Sequence, residues 1–292
     1  MSPKDLLIAS VVILAWGVNF VVIKLGLHGV PPMLLGALRF ALAAVPAIFV
    51  KRPQIPLRWL FAYGLTISLG QFALLFYGMY VGMPAGLASL VLQAQAFFTL
   101  IFASMFLGER IRAANVAGLL IAAAGLALIG MCGGHAMTVT GFLFTLAAAA
   151  MWALGNIVTK RMGKVDLLSL VVWGSLIPPL PFLALSLIFE GPARIESSLA
   201  TIPLISIFAI LYLSFIATIV GYSLWGKLLA RYPAGSVAPF SLLVPVIGLA
   251  SSALFLGEGL NSAQVAGAAL VMAGLVVNVF GARLVQRILP AR

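Results

Sequence analysis

The stretch from Pro84 to Leu126 returns without a gap as Pro233 to Leu275, at a constant offset of 149 and with 15 of 43 paired positions identical. Identity is densest where Phe106-Leu107-Gly108-Glu109 reappears as Phe255-Leu256-Gly257-Glu258, each copy followed by Val-Ala-Gly at 116–118 and 265–267. A second echo, at offset 136, pairs Ala15-Trp16 through Lys24 with Met151-Trp152 through Lys160. A chain written twice folds into two halves on one plan, and in membrane proteins such halves enclose a site between them.

The composition places those halves in a bilayer. Of 292 residues, 63% are hydrophobic and only 8% charged, whereas a soluble domain carries roughly 25% charged residues. A bilayer core needs about 20 apolar residues per helix. Ten segments meet this, at 6–23, 33–50, 59–80, 84–107, 113–131, 137–159, 167–189, 202–226, 233–256 and 261–282. The expected fold is therefore all-α and membrane-integral, with ten transmembrane helices arranged as two inverted five-helix repeats over 1–132 and 137–283.

The net charge of +11 sits mainly in loops. One set of helix ends holds 14 of the 17 basic residues, the other only Lys24 and Arg194, and Arg39 lies inside the second segment. The positive-inside rule then places both termini in the cytoplasm, in a multi-pass protein of the cell (inner) membrane. The partners this implies are lipid and a small-molecule substrate, not nucleic acid; a monomer or weak dimer is expected. Cys132 is the sole cysteine, so no intramolecular disulfide and no cysteine-built metal site can form. No cleavable signal is read, because the first apolar run flows into the repeat pattern.

Five helices per half is an odd number, so the second half enters from the opposite face. Glu109 is followed by Arg110 and Arg112, but Glu258 by Gly259 and Asn261, as expected if the two turns face opposite sides. With its FLGE turns and the V-A-G…A-G-L runs after them, the chain resembles the EamA-type branch of the drug/metabolite transporter superfamily. The run Gly82 to Phe98 (GMPAGLASLVLQAQAFF) resembles more narrowly exporters of cysteine and O-acetylserine, with aromatic and neutral amino-acid exporters as further relatives. The resemblance implies a secondary transporter exporting small metabolites, amino acids first, by alternating access about a central cavity, with no enzymatic step. In one respect the halves differ: the proline that such units carry midway along the fourth helix is Pro245 in the second copy and Ala96 in the first, so unequal bending is expected.

Polar groups inside a bilayer are expensive and are functional candidates by default. The central ones are Asn19, Gln71, Gln93, Gln95 and Ser241, with Trp16 near mid-depth. Trp16 and Asn19, spaced i, i+3, share a face and could offer a ring and an amide to a zwitterion. Gln93 and Gln95 lie about 200° apart on an ideal helix, so only one should face a cavity; interhelical bonding is the competing role for any of these amides. Tyr77, Tyr80 and Trp152 are further candidate contacts, with the interfacial aromatic belt as the competing reading, which also covers Trp59 and Trp225.

Candidate gating or helix-end groups are Lys24, Arg39, Glu109, Lys160, Pro239, Pro245 and Glu258. Arg39 is expected to snorkel to the outer interface, the other reading being a partner for a substrate carboxylate. The two prolines are expected to disrupt the ninth helix as hinges. All six acids fall at helix ends or in loops and both histidines, His28 and His135, on the outer side. Proton relay lacks a mid-membrane carrier, no phosphate-cradling loop is present, and no cofactor or metal is expected. A drug-cation carrier would want a deep acid, a nucleotide-sugar carrier deep cations, and a membrane enzyme or assembly factor clustered acids, histidines or cysteines.

Overall fold

Apolar stretches in lipid must satisfy their backbone internally, so they become helices, and every regular element among the described residues is helical. The computed structural model describes residues 1–131 and 137–288; Cys132, His135 and Arg292 lie outside them. In chain order the long rods are α1 (Pro3–Leu27), α2 (Pro32–Ile48), α3 (Leu57–Tyr80), α4 (Ala85–Leu107), α5 (Ala113–Met131), α6 (Val139–Met162), α7 (Leu167–Phe189), α8 (Leu204–Arg231), α9 (Pro239–Leu256) and α10 (Ser262–Ile288). All but α2 are long and apolar enough to cross a bilayer, among the described residues. The shorter α2 tightens into a 3₁₀ turn over Val45–Ile48, where Pro46 has no N–H to continue the α ladder. A short surface helix, Pro192–Ala200, joins α7 to α8.

Helix contacts repeat under exchange of halves. α1 packs on α8 and α9, and its counterpart α6 packs on α3 and α4, while α2–α7, α4–α9 and α5–α10 pair with each other. The FLGE turn is a helix stop. Gly108 (φ 69°) and Gly257 (φ 65°) adopt the left-handed conformation that glycine reaches without a Cβ clash. The next amide closes the cap in each copy, Glu109 N–H donating to Ala103 O and Glu258 N–H to Ser252 O, both at 3.3 Å. Glu109 follows the last turn of α4, whereas Glu258 touches the first amides of that same helix. Two copies of one turn thus lie at opposite ends of α4, as inverted repeats require.

Irregularities repeat as well. Widened π turns occupy Gly64–Gly70 in α3 and Tyr212–Val220 in α8, which coincide at the offset of 149. 3₁₀ turns interrupt α4 at Leu92–Ala94 and open α9 at Ala238–Leu242. Both copies thus leave α geometry along this helix, the first without a proline. Pro239 sits in the 3₁₀ turn, and Pro245 follows it near the start of the α-helical run Leu243–Leu256.

At the face where the chain begins, buried Asp5 accepts from Arg231 Nη1 (2.9 Å) and from Tyr232 Oη (2.8 Å), tying α1 to the end of α8. At the opposite face Glu190 accepts from the Met33 and Leu34 amides at 2.6 and 3.1 Å, and Ser198 Oγ donates to Gly29 O at 2.8 Å.

Candidate substrate cavity

Between the halves lies a cavity of about 330 Å³, within the usual range for small-ligand sites. Its walls come from every long helix except α5 and α10, among the described residues. Lining groups reach toward the terminal face at Tyr63, Thr159, Leu167 and Leu229, but only to Ser89, Phe20 and Leu75 in the other direction.

The widened turns aim several of these groups. In α8 the π stretch presents Ala217 O to Trp16 Nε1–H at 2.9 Å and Thr218 Oγ1 to Arg39 Nη2–H at 3.2 Å. In α3 Tyr63 precedes the π stretch and Gln71 follows it, and both line the cavity. Trp16 meets Tyr222 and Trp225 with ring centroids 5.2 and 5.4 Å apart, an aromatic wall on the terminal-face side.

The deepest part is polar and incompletely satisfied. Asn19, Arg39 and Gln71 are 9%, 3% and 4% exposed. Asn19 Oδ1, Arg39 Nε and Nη1, and Gln71 Oε1 are the buried side-chain polar atoms without a hydrogen-bond partner among the described residues. All four belong to this one cavity. An unpaired buried polar atom costs about 1–3 kcal/mol, so a cluster of them in one cavity is a candidate contact point for a polar ligand.

Gln93 and Gln95 both line the cavity, against the expectation of one. The 3₁₀ turn between them has 3.0 residues per turn, which narrows their separation from about 160° to about 120°. Gln93 Nε2–H donates to Ser241 O at 3.4 Å, and Gln95 Oε1 accepts from Asn156 Nδ2 at 2.9 Å. Trp152 and Ser241 also line the wall. Tyr77 and Tyr80 do not: Tyr77 packs edge-on against Phe144 at 4.9 Å, and exposed Tyr80 accepts from Arg194 Nη2 at 2.7 Å. They stand at the far end of α3, beyond the cavity.

Arg39 is not a snorkelling anchor. Its guanidinium lies 3.9 Å from the Phe72 ring centroid, and the aromatic packing of Phe40, Phe72 and Phe76 holds it inside. Trp225 is not a belt residue either. Tyr63, Asn156, Tyr222 and Trp225 are cavity residues that sequence reasoning missed. Asn156 met the same criterion as Asn19, an amide inside an apolar run; Tyr222 and Trp225 repeat the i, i+3 spacing of Trp16 and Asn19.

Lys24 and Glu258 line a second, smaller cavity of about 230 Å³ at the far face. Lys24 Nζ donates to Met79 O at 3.1 Å, and Glu258 accepts from the Ala85 and Gly86 amides at 2.9 and 3.0 Å. Glu109 and Lys160 instead pair with each other at the terminal face, half-exposed.

A family model described as "EamA-like transporter family" matches residues 4–131 and 139–280. The chain is 53% identical over 290 residues to a Salmonella typhimurium protein named "Probable amino-acid metabolite efflux pump", covering 97% of each. It is 51% identical, again over 97% of each, to an Escherichia coli protein of the same name. At 29% identity it resembles the "Probable terminal-alkyne amino-acid exporter" of Streptantibioticus cattleyicolor over 91% of this chain and 90% of that one. A solved crystal structure, 23% identical and covering 100% of both chains, superposes with a TM-score of 0.65, a likeness of fold alone.

Proposed function

We propose that this chain, which belongs to the EamA-like transporter family, exports amino acids and closely related small metabolites from the cytoplasm by alternating access of its central cavity. The observation that carries this reading is the cluster of unpaired polar atoms on Asn19, Arg39 and Gln71 beneath an aromatic wall. The names of the relatives at about half identity supply the cargo class. The two five-helix units, 1–132 and 137–283, are the moving parts, and the terminal face is the cytoplasmic face of the inner membrane, a reading supported by the basic loop residues gathered there. Flux follows the cargo gradient, since Arg39 is the one charged side chain among the described lining residues.

In this reading the closed end is the outer one. Its latch is the Glu258 carboxylate on the first two amides of α4, a site favoured by unpaired N–H groups and the helix dipole. Lys24 supports it from the second cavity. The internal repeat names the reciprocal latch: Glu109 on the amides of Ala234 and Gly235, the positions that match Ala85 and Gly86. Here Glu109 holds Lys160 instead. Outward opening exchanges one latch for the other.

The test is counterflow in proteoliposomes loaded with unlabelled amino acids, reading uptake of a labelled mixture of the twenty. Trp16→Ala removes the central ring of the aromatic wall and is expected to lower uptake at least ~10-fold, the equivalent of about 1.4 kcal/mol. Tyr80→Phe, at the rim and outside the cavity, is expected to transport as wild type. Absence of uptake by folded wild-type protein would overturn the export reading.

A further inference from the structure

We propose that Arg39 is the carboxylate subsite of this cavity, and that a free carboxylate on the cargo is obligatory for its recognition. The inference rests on the export reading above and narrows its cargo to zwitterions and monoanions.

Arg39 is 3% exposed and carries a guanidinium that is permanently cationic. Of its three nitrogens only Nη2 has a partner, the neutral hydroxyl of Thr218 at 3.2 Å. Ser214 Oγ donates to the Arg39 backbone carbonyl at 2.9 Å, fixing the backbone from which the side chain projects. Phe72, itself a lining residue, covers one face of the guanidinium at 3.9 Å from the ring centroid. A ring face softens the cost of burying a cation but neutralises nothing. The penalty for an isolated buried ion is several kcal/mol, and no carboxylate lines the cavity among the described residues. The charge therefore stands ready for an anion from outside the protein.

The other two unpaired groups have opposite character. Asn19 Oδ1 and Gln71 Oε1 are acceptors that lack donors. Each amide also carries an NH2 donor pair, but an ammonium brings three donors and no acceptor, so these two oxygens can take an amino group while Arg39 takes a carboxylate. A cationic drug would meet Arg39 with repulsion. An uncharged solute would leave the guanidinium unpaired, and a nucleotide sugar would find one cation for several phosphate charges.

The experiment competes counterflow of the labelled mixture of twenty amino acids with the unlabelled acids, their carboxamides or their N-acetyl derivatives. The acids are expected to compete fully and the amides at least ~10-fold more weakly, since an amide cannot form the bidentate, charge-assisted bond that a carboxylate makes to a guanidinium. N-acetyl derivatives, which keep the carboxylate and lose the ammonium, should lie between. Arg39→Gln should lose at least ~10-fold in uptake, while Arg39→Lys, which keeps the charge, retains part of it. Because Arg39→Gln removes an uncompensated charge, its ligand-free melting temperature should be no lower than wild type, and added amino acids should no longer raise it. Equal competition by amides and acids, or wild-type uptake with wild-type melting shifts in Arg39→Gln, overturns the assignment. Wild-type protein that moves none of the labelled mixture would instead refute the export reading beneath it.

Discussion

Gly125→Leu is expected to leave little folded protein. α5 and α10 meet backbone to backbone: a Cβ on Gly125 would stand 2.6 Å from Gly267 O, and one on Gly118 2.7 Å from Gly274 O. Both obstacles are main-chain atoms, which cannot rotate aside. A leucine there must push the helices apart along the whole seam, and between membrane helices close packing is a main source of cohesion. Overpacking alone costs about 1–3 kcal/mol, and the lost seam adds to it, against a total stability of about 5–15 kcal/mol. The readout is the monodisperse peak of a fluorescent fusion in mild detergent, expected to fall at least ~5-fold, while Leu120→Ala, on an exposed side chain of α5, leaves it unchanged. Because neither helix lines the cavity among the described residues, Gly125→Ala protein that does fold should bind amino acids as wild type does. A wild-type yield for Gly125→Leu would mean that the seam is not as close as described.

Glu258→Ala is expected to release the first amides of α4. Two charge-assisted hydrogen bonds are worth about 1.5–3 kcal/mol each. Discounted for a carboxylate that is only partly buried, they still imply at least a ~10-fold shift between closed and open states of this end of the cavity. Hydrogen–deuterium exchange over the peptide containing Ala85 and Gly86 reads this directly, as exchange at least ~10-fold faster than wild type. Glu258→Gln keeps one acceptor oxygen and should fall between. Glu109→Gln, whose carboxylate is engaged with Lys160 at the other face, should leave those amides protected. Unchanged exchange in Glu258→Ala would show that the contact does not hold the outer end.

Much of the architecture was legible because duplication leaves identity where geometry is strict. The glycine of FLGE is strict, since only glycine takes the left-handed cap cheaply. So are the glycines repeated at 118 and 267 and at 125 and 274: each touches the counterpart of the other across the α5–α10 seam. Inversion was legible in the loss of arginines after Glu258. The π turns were not, because they carry no residue signature and arise from packing. Their coincidence at offset 149 emerges only from the fold.

The site was legible in kind and partly in detail. Trp16, Asn19, Gln71, Gln93, Gln95, Trp152 and Ser241 all line the cavity. Depth along a helix misjudged Arg39, because depth ignores what surrounds a side chain in the other two dimensions. Three phenylalanines enclose it where a count of residues to the interface allowed escape. The same limit misplaced Tyr77 and Tyr80 into the site and Trp225 out of it. Gln95 was misjudged because an ideal helix was assumed across a 3₁₀ turn.

The most direct test is whether one cavity changes the face it opens to. Val244 lines the cavity on α9 and is half-buried, so Val244→Cys in a Cys132→Ser background is a small, central probe. Membrane-impermeant maleimide is applied to right-side-out and inside-out vesicles, with and without the amino-acid mixture. Labelling is predicted from the terminal face in the absence of cargo, with outer-face labelling rising when cargo is added and already present at rest in Glu258→Ala. Equal labelling from both faces under all conditions, or outer-face labelling indifferent to both cargo and Glu258, would contradict alternating access through this cavity.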